Sequence, residues 1–351
     1  MAERLPNMRC PRLSDLPAPP AGRTGWPWTE ESPRLPETMA DGRPWPKVSI
    51  VTPSFNQGQF LEEAIRSVLL QGYPNLEYII IDGVSRDNSV AVIRKYEPWL
   101  AWWASEPDNG QADAINKGFR RATGEFLGWL NSDDRLAPGA INSLVTAFLV
   151  RPEAELLYGD NECGGENGTP AFVRRGERLP FSDMLRTLRV AVPQPGSLWR
   201  RSLLDKVGLL DTRWQVVLDR EFFVRAGLRC RMEYLPGVLA FFRRHAASKS
   251  MAWQRQWMVE IPRMYTEFFR RSDLPVAVRA LRRETVASAY LYCAGHAHRL
   301  GSRATATHFV AAALLHYPRV LLRGDADSYL GKGALRVLGG LRRVAQRFRN
   351  S

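Results

Sequence analysis

Cysteine is scarce in this chain. Four residues, Cys10, Cys163, Cys230 and Cys293, are spread over 351 positions with no CxxC pair. That is too few for a disulfide framework and the wrong spacing for a thiolate zinc site, and it suits a reducing compartment. No run of about 18 apolar residues occurs, which excludes a membrane-spanning helix. The first residues lack the apolar stretch of a secretory signal, so a cytoplasmic protein is expected. Neither GxGxxG nor GxxxxGK[ST] follows the first predicted strand, which disfavours a dinucleotide fold and a P-loop. Histidine is nearly absent too: of five, only His245 precedes residue 290.

What is present is apolar residues and positive charge. A hydrophobic content of 45% with 11 Trp can fill a sizeable core. The net charge is +13, and residues 270–351 hold fifteen Arg or Lys against four Asp or Glu. A basic tail calls for a polyanion: anionic lipid, nucleic acid or a phosphate-bearing substrate. Within 333–349, Leu335, Leu338, Leu341, Val344 and Phe348 recur at helical spacing among Arg336, Arg342, Arg343, Arg347 and Arg349. Such a segment either lies in a lipid headgroup plane or caps a neighbouring domain.

Three regions follow. Residues 1–46 are rich in Pro, Arg and Glu without an apolar period, and read as a disordered or loosely draped lead-in. Residues 47–255 alternate strand and helix, and 256–351 read as a basic helical extension. Val48–Thr52, Leu76–Ile81 and Phe126–Leu130 are apolar strands; Phe60–Leu70, Ser89–Tyr96 and Ala112–Ala122 have helical periods. A further helix starts near Pro138 and runs to Val150. The Gly-rich stretch 160–180 reads as a mobile loop, and Asp219–Ala226 as helix. The alternation predicts βαβ units in an α/β fold with right-handed crossovers.

In open α/β sheets ligands bind beyond the carboxyl ends of the strands. Those ends carry Thr52-Pro53-Ser54, Asp82-Gly83 and Asn131-Ser132-Asp133-Asp134. The adjacent acids Asp133 and Asp134 would repel unless a cation lies between them and a substrate, and oxygen ligands suit Mg²⁺ or Mn²⁺; the alternative is that Asp134 caps the next helix. His245 is either a hydrogen-bonded structural residue or a further metal ligand. Asp82 either contacts a base or ribose or forms an Asx-turn with Gly83. Asp113 either contacts a nucleotide or caps a helix, and Asp219 on its spacing reads as a helix cap. A nucleotidyltransferase and a non-catalytic basic binding protein stand as rival readings.

Taken together, the segments VSIVTPSFN (48–56), EYIIIDG (77–83), SEPDNG (105–110), AINKG (114–118), ATGE (122–125) and WLNSDD (129–134) resemble family-2 glycosyltransferases of bacterial polysaccharide and lipopolysaccharide assembly. The resemblance runs from about Val48 to Ser250. It implies a GT-A fold, Rossmann-like, with a mixed and mostly parallel sheet and helices on both faces. It also implies an inverting transfer of sugar from a nucleotide-diphosphate-sugar donor to a glycan or lipid-linked acceptor, with Mg²⁺ or Mn²⁺ as cofactor and no nucleic-acid partner. On that resemblance Thr52, Pro53, Ser54, Asp82 and Asp113 line the nucleotide site with Asn131, Ser132 and Asp133. Asn131 stands where the family has its first DxD acid, so the metal falls to Asp133, Asp134 and His245. Asp219 matches the general base, although Leu218 replaces the usual preceding Glu. Gln194, Pro195, Gly196 and Ser197 match the acceptor side. The protein is expected at the inner face of the cell membrane, bound peripherally to an anionic surface.

Overall fold

The computed structural model describes residues 10–189 and 192–322. The basic helix expected over 333–349 lies outside them. In chain order the elements are strand β1 (Val48–Ser54), helix α1 (Gly58–Leu69), β2 (Leu76–Asp82), α2 (Ser89–Tyr96), β3 (Trp102–Ser105), α3 (Gln111–Arg121), β4 (Phe126–Trp129) and β5 (Arg135–Leu136). They continue as α4 (Ala140–Val150), β6 (Leu156–Gly164), β7 (Pro170–Arg174), α5 (Phe181–Thr187), β8 (Ser197–Arg200), α6 (Ser202–Val207), α7 (Leu218–Arg229) and β9 (Met232–Arg243). Helices α8 (Lys249–Ala252), α9 (Gln254–Phe268), α10 (Val276–Ala280), α11 (Arg282–Arg299) and α12 (Arg303–His316) follow.

The chain divides into two compact units, one comprising residues up to Arg178 with Val192–His245, the other Leu179–Ala191 with the residues from Ala246 on.

The first unit is built on one sheet in the order β3-β2-β1-β4-β8-β6-β9-β5, with β7 paired to β6. Six strands run one way, and β5, β7 and β8 oppose them. Every residue of β1 and β2 is buried. Alternation along β1 shows why: Ile50 joins the apolar cluster with α1 and α4, while Val51 presses on Gly118 of α3, where an added Cβ would lie 2.3 Å from its Cγ1. A strand covered on both faces is mostly apolar, and its buried polar side chains need partners, as Ser49 Oγ has in Glu77 at 2.5 Å. The expected mixed, mostly parallel sheet with helices on both faces is therefore present.

Two expectations change. The lead-in is irregular but packed: Leu16, Trp28 and Ser32 are buried. Its anchor is Arg66 of α1, fully buried, which donates to the main-chain oxygens of Pro17 (2.8 Å), Pro27 (3.0 Å) and Trp28 (3.0 Å) and to Tyr96 Oη (3.0 Å). A buried guanidinium needs acceptors; irregular backbone offers carbonyls that a helix or sheet would already have used. Trp26 Nε1 donates to Leu136 O at 2.8 Å and completes the strap. The second change is the stretch 160–180, which holds the end of β6 and the edge strand β7 rather than a mobile loop throughout. Residues 161–164 pair with β7 on one side and β9 on the other.

The second unit is helical. Ala287, Leu291 and Ala294 of α11 pack with Ala313 of α12 and with Val320, flanked by Tyr290 and Phe309. Arg186 of α5 pairs with Glu284 of α11 at 3.3 Å. Among the described residues no helix is long and apolar enough to cross a membrane.

Candidate active site

Parallel pairing of β9 with β6 carries the end of β9 at Arg243 beside the turn that follows β4, where it bonds to Asp133 and Asp134. There His245 Nε2 lies 3.0 Å from Asp133 Oδ2, a contact between residues 112 positions apart. The His245 side chain is only 1% exposed and that of Asp133 18%, so the carboxylate is the face of the pair that solvent reaches. The imidazole lies against Phe60 of α1, ring centres 4.7 Å apart and planes tilted by 52°.

Beneath the pair runs a buried ionic network. Arg243 Nε donates to Asp133 O at 2.8 Å, and its NH1 to Glu166 O at 2.6 Å. Its NH2 pairs with Glu63 Oε2 at 2.9 Å, while Arg135 NH1 meets Glu63 Oε1 at 2.5 Å and Arg135 NH2 donates to Gly168 O at 2.9 Å. Two cations thus share one carboxylate and clamp the β6–β7 turn to the Asp133 backbone. Gly168 has φ +77°, and an added Cβ would lie 2.8 Å from Arg135 NH1, so neither backbone nor space admits a side chain there.

Asp134 faces inward. Its Oδ1 accepts from Arg243 N at 2.9 Å and its Oδ2 from Asn131 Nδ2 at 3.2 Å. Burial, then the neighbouring Asp133 charge, pushes its carboxyl well above the usual carboxylate range. Each oxygen thus accepts one hydrogen bond, which ties the Asp134 side chain to the Asn131 turn and to the end of β9.

Asn131 is the hub of an amide chain. Its Oδ1 accepts from Gln111 Nε2 at 2.7 Å, its Nδ2 donates to Gln194 Oε1 at 3.2 Å, and Gln194 Nε2 donates to Trp129 O at 2.7 Å. This explains why the position is not Asp. A carboxylate there would have no proton for Asp134 or for Gln194 Oε1 and would set two charges together in a buried site. Gln194 and Ser197 are buried, with Ser197 Oγ bonded to Gln194 O at 2.7 Å. The segment Gln194-Pro195-Gly196-Ser197 supports Asn131 from within. Ser132 is buried beside it.

Asp82 does not join this cluster. It is fully buried, its oxygens accepting from Ser85 N (2.9 Å), Ser85 Oγ (2.5 Å) and Ser105 Oγ (2.7 Å). The side chain thus closes a turn with Ser85 rather than with Gly83. Thr52 is likewise committed to the Tyr78 hydroxyl at 2.9 Å, and Pro53 and Ser54 are buried in β1. Asp113, in the first turn of α3, accepts from Asn109 N at 3.1 Å and so holds the 106–110 loop. Among the described residues no group of three or more His, Cys, Asp or Glu could hold a metal ion; the structure brings together Asp133 and His245, not Asp82.

Asp219 stands in the first turn of α7, its Oδ1 bonded to the next amide at 2.7 Å. That helix is fixed by Phe223, stacked on Trp129 of β4 at 6.1 Å, and by Phe222, 5.2 Å from Trp199 of β8. The aromatic floor ties the helix start to the strand whose end carries Asn131. Sequence reading missed Gln111, Glu63, Arg135 and Arg243.

Residues 49–205 match the family described as Glycosyl transferase family 2. An uncharacterized glycosyltransferase of Mycobacterium tuberculosis is 35% identical over 202 residues, 56% of this chain and 75% of that protein. The chain belongs to glycosyl transferase family 2. It is a glycosyltransferase that draws on a nucleotide-sugar donor. A putative teichuronic acid biosynthesis glycosyltransferase of Bacillus subtilis, TuaG, is 26% identical over 201 residues, 54% of this chain and 79% of that one. The GT-A fold is shared with S. aureus TarS, solved in complex with UDP-GlcNAc, at a TM-score of 0.59 and 18% identity over 81% of this chain and 84% of that one. It is shared also with a mannosyltransferase from Pyrobaculum calidifontis, solved with GDP-Man and Mn²⁺, at a TM-score of 0.55 and 18% identity over 90% and 91% of the two chains.

Proposed function

We propose that this member of the family is an inverting glycosyltransferase of bacterial polysaccharide assembly, transferring sugar from a nucleoside-diphosphate donor to a hydroxyl of a glycan or lipid-linked acceptor. The observation that carries the reading is the 3.0 Å contact of Asp133 Oδ2 with His245 Nε2 at the carboxyl edge of the sheet. Adjacent ligands of an octahedral Mg²⁺ or Mn²⁺ with bonds near 2.1 Å stand about 3.0 Å apart, so the pair fits two corners of one coordination shell. Asp133 and His245 would hold the ion, and an ion so held would be free to meet the donor's phosphates, the usual habit of Mg²⁺ and Mn²⁺. A cation bound there neutralises the charge that develops on the departing diphosphate.

The chain's own residues then do the rest. Arg243 holds the Asp133 backbone, Asn131 and its amide partners fix the turn that bears it, and Phe60 seats the imidazole. Asp219 takes the proton of the attacking acceptor hydroxyl. A single displacement at the anomeric carbon inverts its configuration.

Screening UDP-, GDP- and dTDP-sugars by thermal shift with Mn²⁺ is expected to give a stabilising donor, because a ligand that binds only the folded state raises its apparent stability. With that donor, Asp133→Ala should abolish the Mn²⁺-dependent part of binding measured by calorimetry. Unchanged Mn²⁺ dependence would rule the pair out as the metal site.

The excess of Arg and Lys in residues 270–351 supports attachment to the anionic inner face of the cell membrane. Deleting residues 330–351 should release the protein from anionic liposomes in a flotation assay without lowering Mn²⁺-dependent donor hydrolysis. Flotation undiminished by the deletion would refute the attachment.

A further inference from the structure

Helix α9 buries Ile261, Met264, Tyr265 and Phe268 but leaves Val259 59% exposed. Alongside that outer stripe, α9, α11 and α12 of the helical unit leave an open groove of about 400 Å³. Met258, Val259 and Pro262 form one wall; Tyr290 and Phe309 face them. Those two rings stack at 6.2 Å and 29°, and Tyr290 also stacks on His316 at 5.3 Å, which fixes an aromatic surface. Pro262 has no amide to offer Met258 O, which takes the Cys293 Sγ of α11 at 3.6 Å instead. The two sides of the groove are tied together there.

Charge is distributed unevenly around it. On the outer rim Arg263 pairs with Glu267 at 2.8 Å, so their charges cancel. Arg270, exposed just past the end of α9, lines the groove as well, and among the described residues no acid pairs with it; the nearby Asp273 is taken by Arg271 at 2.8 Å. From Met258 to Arg270 the wall runs for about 18 Å at the rise of a helix. A nucleic acid would call for a row of cations, and a glycan for polar groups along its whole length. This groove instead offers an apolar length and, among the described residues, one uncompensated cation at its end.

We propose that the groove binds a long-chain lipid phosphate, its alkyl chain along α9 between Val259 and the Tyr290–Phe309 surface and its head at Arg270. The site is separate from the acid–imidazole pair and from the donor. It also differs from the surface attachment proposed above, because it takes a single lipid molecule rather than a charged plane.

The test titrates the full chain calorimetrically with dodecyl phosphate below its micellar concentration, then with octyl phosphate, dodecyl maltoside and inorganic phosphate. Dodecyl phosphate should bind roughly tenfold or more tighter than octyl phosphate, because every methylene taken from water adds affinity. It should exceed dodecyl maltoside by about tenfold through the charge-assisted contact, and inorganic phosphate should not register. Arg270→Gln is expected to bring dodecyl phosphate down to the maltoside. Val259→Asp, at an exposed position whose folding an unchanged Tm would verify, is expected to abolish binding of both dodecyl compounds. Octyl or inorganic phosphate binding as tightly as dodecyl phosphate overturns the proposal, as does full affinity in either variant or no binding at all. Binding that emerges only after residues 330–351 are deleted overturns it too, and gives the groove to the chain's own end. No nucleotide enters the titration, so none of these outcomes bears on the donor reading.

Discussion

Asp219→Asn should lower nucleoside-diphosphate release from the stabilising donor by roughly 10²–10⁴-fold, the range that a positioned general base contributes. Asparagine keeps the size of the side chain and an oxygen for the Arg220 amide at 2.7 Å, so α7 and its aromatic floor stay in place. What is lost is the capacity to take a proton. Donor binding should therefore survive while turnover collapses, a drop in kcat without a matching rise in KM. Release measured with Mn²⁺ at saturating donor checks this. A variant that turns over at near wild-type rate places the base on another residue.

Glu63→Ala has the largest expected effect on stability. The carboxylate is 7% exposed and lies between Arg243, 1% exposed, and Arg135, 14% exposed. Removing it leaves two guanidinium groups facing each other with no counter-charge. Breaking a buried pair in this way costs about 3–5 kcal/mol, which for a unit of this size lowers Tm by roughly 6–20 °C. Arg243 also carries the Asp133 carbonyl, so Mn²⁺-dependent donor binding should weaken even below the new Tm. Glu63→Gln preserves the shape and separates charge from packing. A melting temperature unchanged in Glu63→Ala would show that solvent reaches the two arginines.

The sheet was legible because its strands are apolar on both faces and end abruptly in small polar residues. β1, β2 and β4 all fall within a residue or two of the expected Val48–Thr52, Leu76–Ile81 and Phe126–Leu130. The Asp133–His245 pair is a different matter. No local pattern joins residues 112 apart; the resemblance to known transferases suggested it, and β6–β9 pairing supplies the physical link. The bonding of Asp82 was not legible, because an acid before a glycine at a strand end looks the same whatever it accepts from. Two serines decided it, and serine spacing carries no such message. Glu63 was invisible for the opposite reason: inside a helix beside Glu62 it reads as a solvent-facing acid. Only its three-dimensional setting between Arg135 and Arg243 gives it work. The lead-in was unreadable because backbone carbonyls, not side chains, bind it to Arg66.

That last arrangement bears on where the protein can be cut. The stretch recognisable by family pattern, 49–205, starts after every carbonyl that Arg66 uses and stops before Arg243 and His245. Trimmed to those borders, the polypeptide would keep a charge sealed in its interior without its acceptors and would lose one partner of its acid–imidazole contact. The hereditary module and the piece that can stand alone are thus different lengths of the same polymer.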